Sequence, residues 1–312
     1  MKIFRTLEDI NFTNPVVTVG TFDGVHKGHM EILDSLKSEA KKIGGESVVF
    51  TLYPHPRKVL RPSEKELFLL NTIDEKTELL KKAGIDNLII YPFTLEFAKL
   101  SSCNFIEKIL YKKIRLKQLI VGFDHHFGKD RQGNLEILRN CADPFGFEIK
   151  KVEALEDTGK KISSSWIRTL ITDGKIVKAN EYLDYEYFIK GLVVSGEKLG
   201  RTMGFPTANI KVIEKEKLIP KRGVYAVKIK LDSREYEGML NIGIRPTVSS
   251  NFETKIEVHI FNFSGDLYNK TLKIKFINFI RDEIKFADKN HLKAQLISDK
   301  ETALSLLSKY HS

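Results

Sequence analysis

The sequence predicts an α/β fold joined to an all-β fold: a parallel sheet with helices on both faces, then an antiparallel domain, a small closed barrel or sandwich, ending in a helix. Three observations carry that prediction. Apolar, strand-length runs alternate with helical patterns through the first half, and repeated βα units of this length build a parallel sheet with right-handed crossovers. From Lys190 onward the period falls to two, with glycine and proline turns and no helix between the strands, the mark of antiparallel pairing. The chain has 312 residues, more than most single domains, so two cores are expected.

Taken in order, residues 16–20 read as a strand, 28–43 as a helix with apolar positions at helical spacing, and 47–52 as the next strand. IDEKTELLKKAG follows as a helix stopped by Gly84, then the strand NLIIY, a helix around NFIEKILYKKI, the strand QLIVG, a helix after Asn134 and the strand FEIKKV. The texture changes near Tyr182, within a helical link over 175–187, which sets the expected domains at 1–182 and 183–312. FIKGLVVSG, GVYAVKIKL, EYEGMLNIG, KIEVHIFNF and LKIKFINFI supply the strands of the second domain. Residues 288–310 close it as a helix, with Leu292, Leu296, Leu304 and Leu307 as the apolar stripe.

Hydrophobic and charged contents of 42% and 29% are those of an ordinary globular protein. The net charge of +10 is spread as lysines through KKAG, YKKIRLK and KLIPKR, with no arginine-rich or aromatic-interleaved tract. It reads as a basic surface that attracts phosphorylated metabolites rather than as a nucleic-acid groove. Cys103 and Cys141 are far apart and in no CxxC pairing, so reduced thiols are expected rather than a disulfide or a zinc site. MKIFRTLEDI has no apolar signal core, and no apolar run is long enough to cross a bilayer. A cytoplasmic protein is expected.

Polar motifs gather where the parallel strands end, the place where ligands collect in such sheets. After the first of these strands comes GTFDGVHKGH, which also contains Phe22 and Asp23. Gly20, Gly24 and Gly28 let the backbone turn sharply beside a ligand, and the helix that follows offers unpaired N–H groups to phosphate. His26 and His29 stand where charge on a transferring phosphorus needs stabilising. Neither GxGxxG nor GxxxxGK[ST] is present; what remains is HxGH, the nucleotidylyltransferase pattern, against the plainer alternative of a glycine turn with backbone-satisfied histidines. GFDHHFGKDRQG places Asp124 and Arg131 after a strand, either to hold a ribose or flavin and a phosphate or as a solvated loop. His125 and His126 would point to opposite faces of an extended segment, which disfavours a metal site with Asp124. ISSSWIR presents Ser163, Ser164 and Ser165 at a helix start with Arg168 one turn on, a triphosphate site or a serine cap with a surface arginine. YPHP reads as a rigid turn.

In the second domain, SGEKLGRTMGFPTANI has Gly196, Gly200 and Gly204 for a flexible flap, with Lys198 and Arg201 available to phosphates. Thr207 and Asn209, two residues apart in an extended segment, face one side and suit magnesium held mainly by nucleotide phosphates and water. Alternation in KIEVHIFNF puts Ile256, Val258 and Ile260 on one face and Glu257 and His259 on the other. Glu257 is then a solvated carboxylate or the general base for a hydroxyl attacking phosphorus.

The ordered set GTFDGVHKGH, YPHP, GFDHHFGKDRQG, ISSSWIR, GRTMGFPTANI, PKRGVYAV, NIGIRPT, EVHIF and LYNKTLKIKFINFIRDEIKF resembles the bacterial bifunctional riboflavin kinase and FMN adenylyltransferase (FAD synthetase) family over nearly the full chain. The resemblance implies an N-terminal FMN adenylyltransferase of nucleotidylyltransferase type and a C-terminal riboflavin kinase barrel. It implies that His26 and His29 stabilise charge around the α-phosphate, that Asp124 lies at the adenylyltransferase site, and that Ser164, Ser165 and Arg168 bind ATP phosphates. In the kinase it implies that Thr207 and Asn209 bind magnesium and nucleotide and that Glu257 deprotonates the ribityl hydroxyl. Gly20, Phe22, Asp23, Gly24, Arg131, Gly200 and Arg201 complete the expected ATP- and flavin-binding set. The family usually has an aromatic where this chain has His125, and ISST ends here in Ser165. Riboflavin, FMN, FAD and ATP are the expected partners, with Mg2+ as cofactor, no nucleic acid, no membrane, and a monomer or weak homo-oligomer.

No covalent nucleophile occurs in either motif set, so both reactions are expected to be in-line attacks on ATP, with positioning, magnesium and cationic donors supplying the catalysis. Two alternatives differ in class: a monofunctional adenylyltransferase whose barrel only binds or regulates, and a nucleic-acid-binding barrel.

Overall fold

The alternation of the first half folds as a six-stranded parallel sheet in a computed structural model that describes residues 1–61, 66–123, 135–196, 204–246 and 252–310. Contacts divide the chain into two units, Met1–Ser164 and Ser165–Ser312. The first runs β1 (Lys2–Phe4), β2 (Val16–Val19), α1 (Lys27–Lys42), β3 (Ser47–Tyr53), α2 (Pro56–Leu60), α3 (Ile73–Lys82), β4 (Asn87–Pro92), α4 (Leu95–Ala98), α5 (Ser102–Phe105), β5 (Gln118–Gly122), α6 (Leu135–Ala142), β6 (Glu148–Val152) and a hairpin of β7 (Glu156–Asp157) and β8 (Lys160–Lys161). The sheet order is β1-β4-β3-β2-β5-β6 with every neighbouring pair parallel. Chain order therefore reverses between β2 and β5, and the crevice beyond their carboxyl ends is where such a sheet takes a ligand.

Both faces of the sheet are covered. One core layer holds Leu33, Leu36, Leu80 and Leu88, where α1 and α3 meet the strands. The other holds Phe105, Ile106, Leu110 and Leu138 on the opposite side. Local signals explain the helix starts. Thr72 and Glu75 form a reciprocal capping box on α3, and Gly84 ends that segment at φ +79°. The expected helix around NFIEKILYKKI begins as the single turn α5 and continues over Ile106–Ile114 as a wider, π-type winding that stops at Arg115 with φ +59°.

α7 (Ser164–Thr172) and α8 (Ile176–Leu183) lead into β9 (Phe188–Val194), β10 (Ala208–Lys211), β11 (Gly223–Leu231), β12 (Arg234–Pro246), β13 (Phe252–Ile260), β14 (Thr271–Arg281) and α9 (Lys289–Lys309). The six strands close in the order β10-β13-β12-β11-β14-β9, each neighbour antiparallel, which decides for the barrel over the sandwich. Buried Asn180 ties α8 to it, accepting from the Tyr187 amide at 2.7 Å and donating to the Phe276 carbonyl at 2.8 Å. α9 packs on the outside over Phe205, Met239, Phe261 and Ile277.

Two expectations fail. Cys103 and Cys141 are joined as a disulfide, their Cα atoms 5.0 Å apart, because α5 and α6 pack side by side across an interval that spacing along the chain does not reveal. Leu304 is 39% exposed, whereas Asp299, Ala303 and Leu307 take the buried face of α9. Asp299 is tolerated there because Arg281 grips it with two bonds of 2.9 and 2.7 Å. Among the described residues no helix is long and apolar enough to cross a membrane.

Candidate active sites

The turn after β2 is built from unusual backbone. Phe22, Gly24 and Val25 all have positive φ, at +45°, +93° and +39°, and a β-branched residue there is a strained choice that surrounding structure must enforce. That structure is visible. Phe22 and Val25 are buried in the layer beneath α1. The carboxylate of Asp23, 2% exposed, accepts from the amides of Leu70 and Asn71 at 3.2 Å each. Gly20 lies against the Phe22 ring, where a Cβ would stand 2.9 Å from Cε2.

This turn delivers His26 as the N-cap of α1 and His29 in its first turn, their rings stacked at 3.7 Å. His26 does not cap the helix with its side chain, and the positive end of the α1 dipole is directed at this turn, which favours an anion there. His29 Nδ1 is buried with no hydrogen-bond partner among the described residues. Burial, then the neighbouring His26 and Lys76, hold the His29 ring well below its ordinary value, so it is neutral near pH 7 until negative charge arrives. Ser164 Oγ donates to the Asp23 carbonyl at 2.8 Å and lies 3.4 Å from His26 Nε2. A Cβ on Gly28 would stand 3.3 Å from His26 Nδ1, so glycine there leaves room for the ring.

Other expected residues divide. Ser165 and Arg168 lie one turn apart on α7, with Arg168 Nη1 3.4 Å from Ser165 Oγ. Asp124, Arg131, Gly200 and Arg201, like His125 and His126, fall outside the described residues. In YPHP, His55 caps α2, its Nδ1 accepting from the Arg57 amide at 3.2 Å, which is a turn-forming job. A cavity of about 450 Å³ lined by Tyr111, Lys112, Arg115, Lys117 and Phe145 lies by the amino ends of β5 and β6, the opposite end of the sheet from the histidine turn.

In the barrel the site is made by register. Asn209 on β10 and Asn241 on β12 both stand directly opposite Glu257 on β13, which puts the three side chains in one row on one face. Its apolar neighbours Ile256, Val258 and Ile260 are buried on the other. Glu257 is about a quarter exposed and pairs with Lys255 at 3.1 Å. Thr207 is exposed just ahead of β10, and Gly196 is required because a Cβ there would collide with the Asn209 amide. His259 shares the face of Glu257, as the alternation predicts, but not its exposure. It is 8% exposed, between Phe205 and Phe261, and its Nδ1–H donates to the Pro206 carbonyl at 2.8 Å. Along this face of β13 Lys255 and Glu257 remain partly exposed, whereas the His259 end is covered by the apolar layer beneath α9.

Lys76, Asn241 and Lys255 are the charged or polar neighbours that sequence reasoning missed. Asn241 carried a signal in NIGIRPT, but only the strand register identifies its partner.

Family models for FAD synthetase and riboflavin kinase match residues 9–166 and 183–307. A bifunctional riboflavin kinase/FMN adenylyltransferase of Listeria monocytogenes is 37% identical over 97% of this chain and 96% of that protein. Its counterpart in Escherichia coli is 34% identical over 97% of both. A solved structure described as a macrolide-efflux protein from Streptococcus pneumoniae matches with a TM-score of 0.89 at 33% identity, covering 96% of this chain and 97% of that one.

Proposed function

The chain belongs to the family of bifunctional riboflavin kinase/FMN adenylyltransferases, and from that premise we propose how its own residues carry the two reactions. It phosphorylates riboflavin to FMN with ATP and adenylylates FMN to FAD with ATP, releasing pyrophosphate. The observation that carries this function is that both family domains lie in one chain that covers 96% of its Listeria relative.

For adenylylation we assign His26 and His29 to charge on the α-phosphate. The reading is supported by their stacking at the N-terminus of α1, where amides and two imidazoles converge beyond the carboxyl end of β2. The FMN phosphate attacks the α-phosphorus, and pyrophosphate leaves. Gly20, Phe22, Asp23 and Gly24 shape the turn. Ser164, Ser165 and Arg168 are assigned to ATP phosphates, and Asp124 and Arg131 to the adenylyltransferase ligands. We take this module to extend over 1–182 and the kinase over 183–312.

For phosphorylation, Glu257 takes the proton of the ribityl hydroxyl as that oxygen attacks the γ-phosphorus. Its place beside Asn209 and Asn241 supports the assignment. The donor set also fits magnesium: an exposed hydroxyl on Thr207 and the amide of Asn209 are hard oxygen ligands, enough for an ion that keeps waters and ATP phosphates as its other partners. That ion would neutralise phosphate charge during transfer. Gly200 and Arg201 are assigned to the same nucleotide. We further infer a cytoplasmic protein, a monomer or weak homo-oligomer, with no nucleic-acid or membrane partner.

Incubation with riboflavin, ATP and magnesium tests the whole reading. FMN should appear first and FAD after it. FMN without FAD, or FAD only from added FMN, would remove one of the two activities.

A further inference from the structure

Lysine is almost never fully buried without a compensating group, yet Lys76 on α3 is only 6% exposed. The helix has solvent-facing positions for lysine, and Lys81 and Lys82 occupy them. Lys76 instead is buried right after the capping-box Glu75, close enough to the glycine turn for its charge to act on Asp23 and His29. Its attractive partner there is Asp23, and its repulsive neighbour is His29.

Asp23 binds the other end of the same arrangement. Its two oxygens accept from Leu70 and Asn71, the residues that lead into α3. A buried anion on the turn, bonded to the residues that lead into α3, and a buried cation on α3 thus lie within electrostatic reach of one another where the strained backbone delivers the histidines. We propose that Lys76 is a positioning residue of the adenylyl-transfer site, its buried ammonium balancing Asp23 and so holding the turn that presents His26 and His29. The proposal rests on the assignment of that pair to adenylylation.

The titratable groups around Lys76 are Asp23 on the turn and His29 on α1, with His26 stacked on the latter. Glu75, beside it on α3, is engaged with the Thr72 amide at 3.0 Å. Burial lowers the Lys76 ammonium to about 8, and Asp23 opposes the shift. As pH rises through that value, the cation is lost and Asp23 keeps its amide donors but not the ammonium that balances its charge. Adenylylation should therefore have an alkaline limb near pH 8 that riboflavin phosphorylation lacks.

The test measures both activities of the full chain against pH for Lys76→Met, Lys76→Arg and a His26→Ala/His29→Ala variant. Lys76→Met should lower FMN adenylylation about 10²-fold, the scale of a small misplacement of reacting groups, with riboflavin phosphorylation within about twofold of the parent. Lys76→Arg, which stays charged, should recover most of the rate and move the limb upward. An unchanged rate in the Met variant, or a limb that stays near pH 8 in the Arg variant, overturns the proposal. If the Met variant loses both activities together, the position of the limb in the Arg variant decides alone. Persistent FAD formation in the double-histidine variant would instead refute the site assignment, and its loss beside parental Lys76 variants would refute only the positioning role.

Discussion

The two halves of the chain prepare phosphorus chemistry in opposite ways. In the α/β unit the candidate groups are imidazoles held by strained backbone, partly out of water and against the end of a helix. In the barrel the candidate base is a carboxylate on regular strand, a quarter exposed and steadied by Lys255. A turn concentrates donors at one point and depends on everything that closes over it, whereas strand register aligns Asn209, Glu257 and Asn241 as a consequence of ordinary pairing. A desolvated imidazole starts neutral and can respond to incoming phosphate, whereas the carboxylate is set between two amides beside a lysine, where strand register rather than a strained turn fixes its position.

The sharpest break of this comparison is Glu257→Gln. It should reduce riboflavin phosphorylation by about 10²–10⁴-fold, the usual worth of a general base, while FMN adenylylation measured on the same preparation is unchanged. A kinase rate equal to the parent's would return Glu257 to an ordinary surface position. Next in size, His26→Ala/His29→Ala should suppress FMN-to-FAD conversion by roughly 10²-fold or more, on the scale of lost electrostatic stabilisation, and spare phosphorylation. Equal loss of both activities would show misfolding rather than a site effect.

Asp299→Ala probes the barrel's scaffold instead of its chemistry. It strands a mostly buried Arg281 and should destabilise the second unit by about 3 kcal/mol, read from chemical denaturation. An unchanged midpoint would mean that water replaces the carboxylate without loss. The smallest effect concerns His29, whose ring should titrate below 6.5 in the ligand-free protein and move up when ATP is added, followed by NMR of the ring proton. Because the folded value is depressed, the unfolded chain binds more protons once pH falls below 6.5, so stability present above 6.5 is lost as pH drops toward the folded value. A ligand-free midpoint at or above 6.5 would erase the contrast between the two sites.

Much of this was legible. The switch from helical and strand alternation to period two located the change of fold, and GTFDGVHKGH was readable because its glycines mark a turn and its histidines share one helical turn. Leu304 misled because a stripe of leucines says which face is apolar, and burial beneath β-strands is decided by where α9 lands; Asp299 reached that face through Arg281. His259 followed the alternation of its strand, and the apolar layer beneath α9 buried it between Phe205 and Phe261 while Glu257 on the same face stayed partly exposed.

By itself, the sequence determined the order and type of the elements, the turn that carries the histidines, and the residue types able to handle phosphate, because periodicity, capping and glycine placement act over a few residues. Only the tertiary structure decided that the strands close into a barrel, that Cys103 meets Cys141, that Glu257 stands between Asn209 and Asn241, and that Lys76 is buried. Those outcomes join residues tens of positions apart. They follow from which surfaces pack together and which charges must then be balanced away from water, and no local pattern encodes that choice.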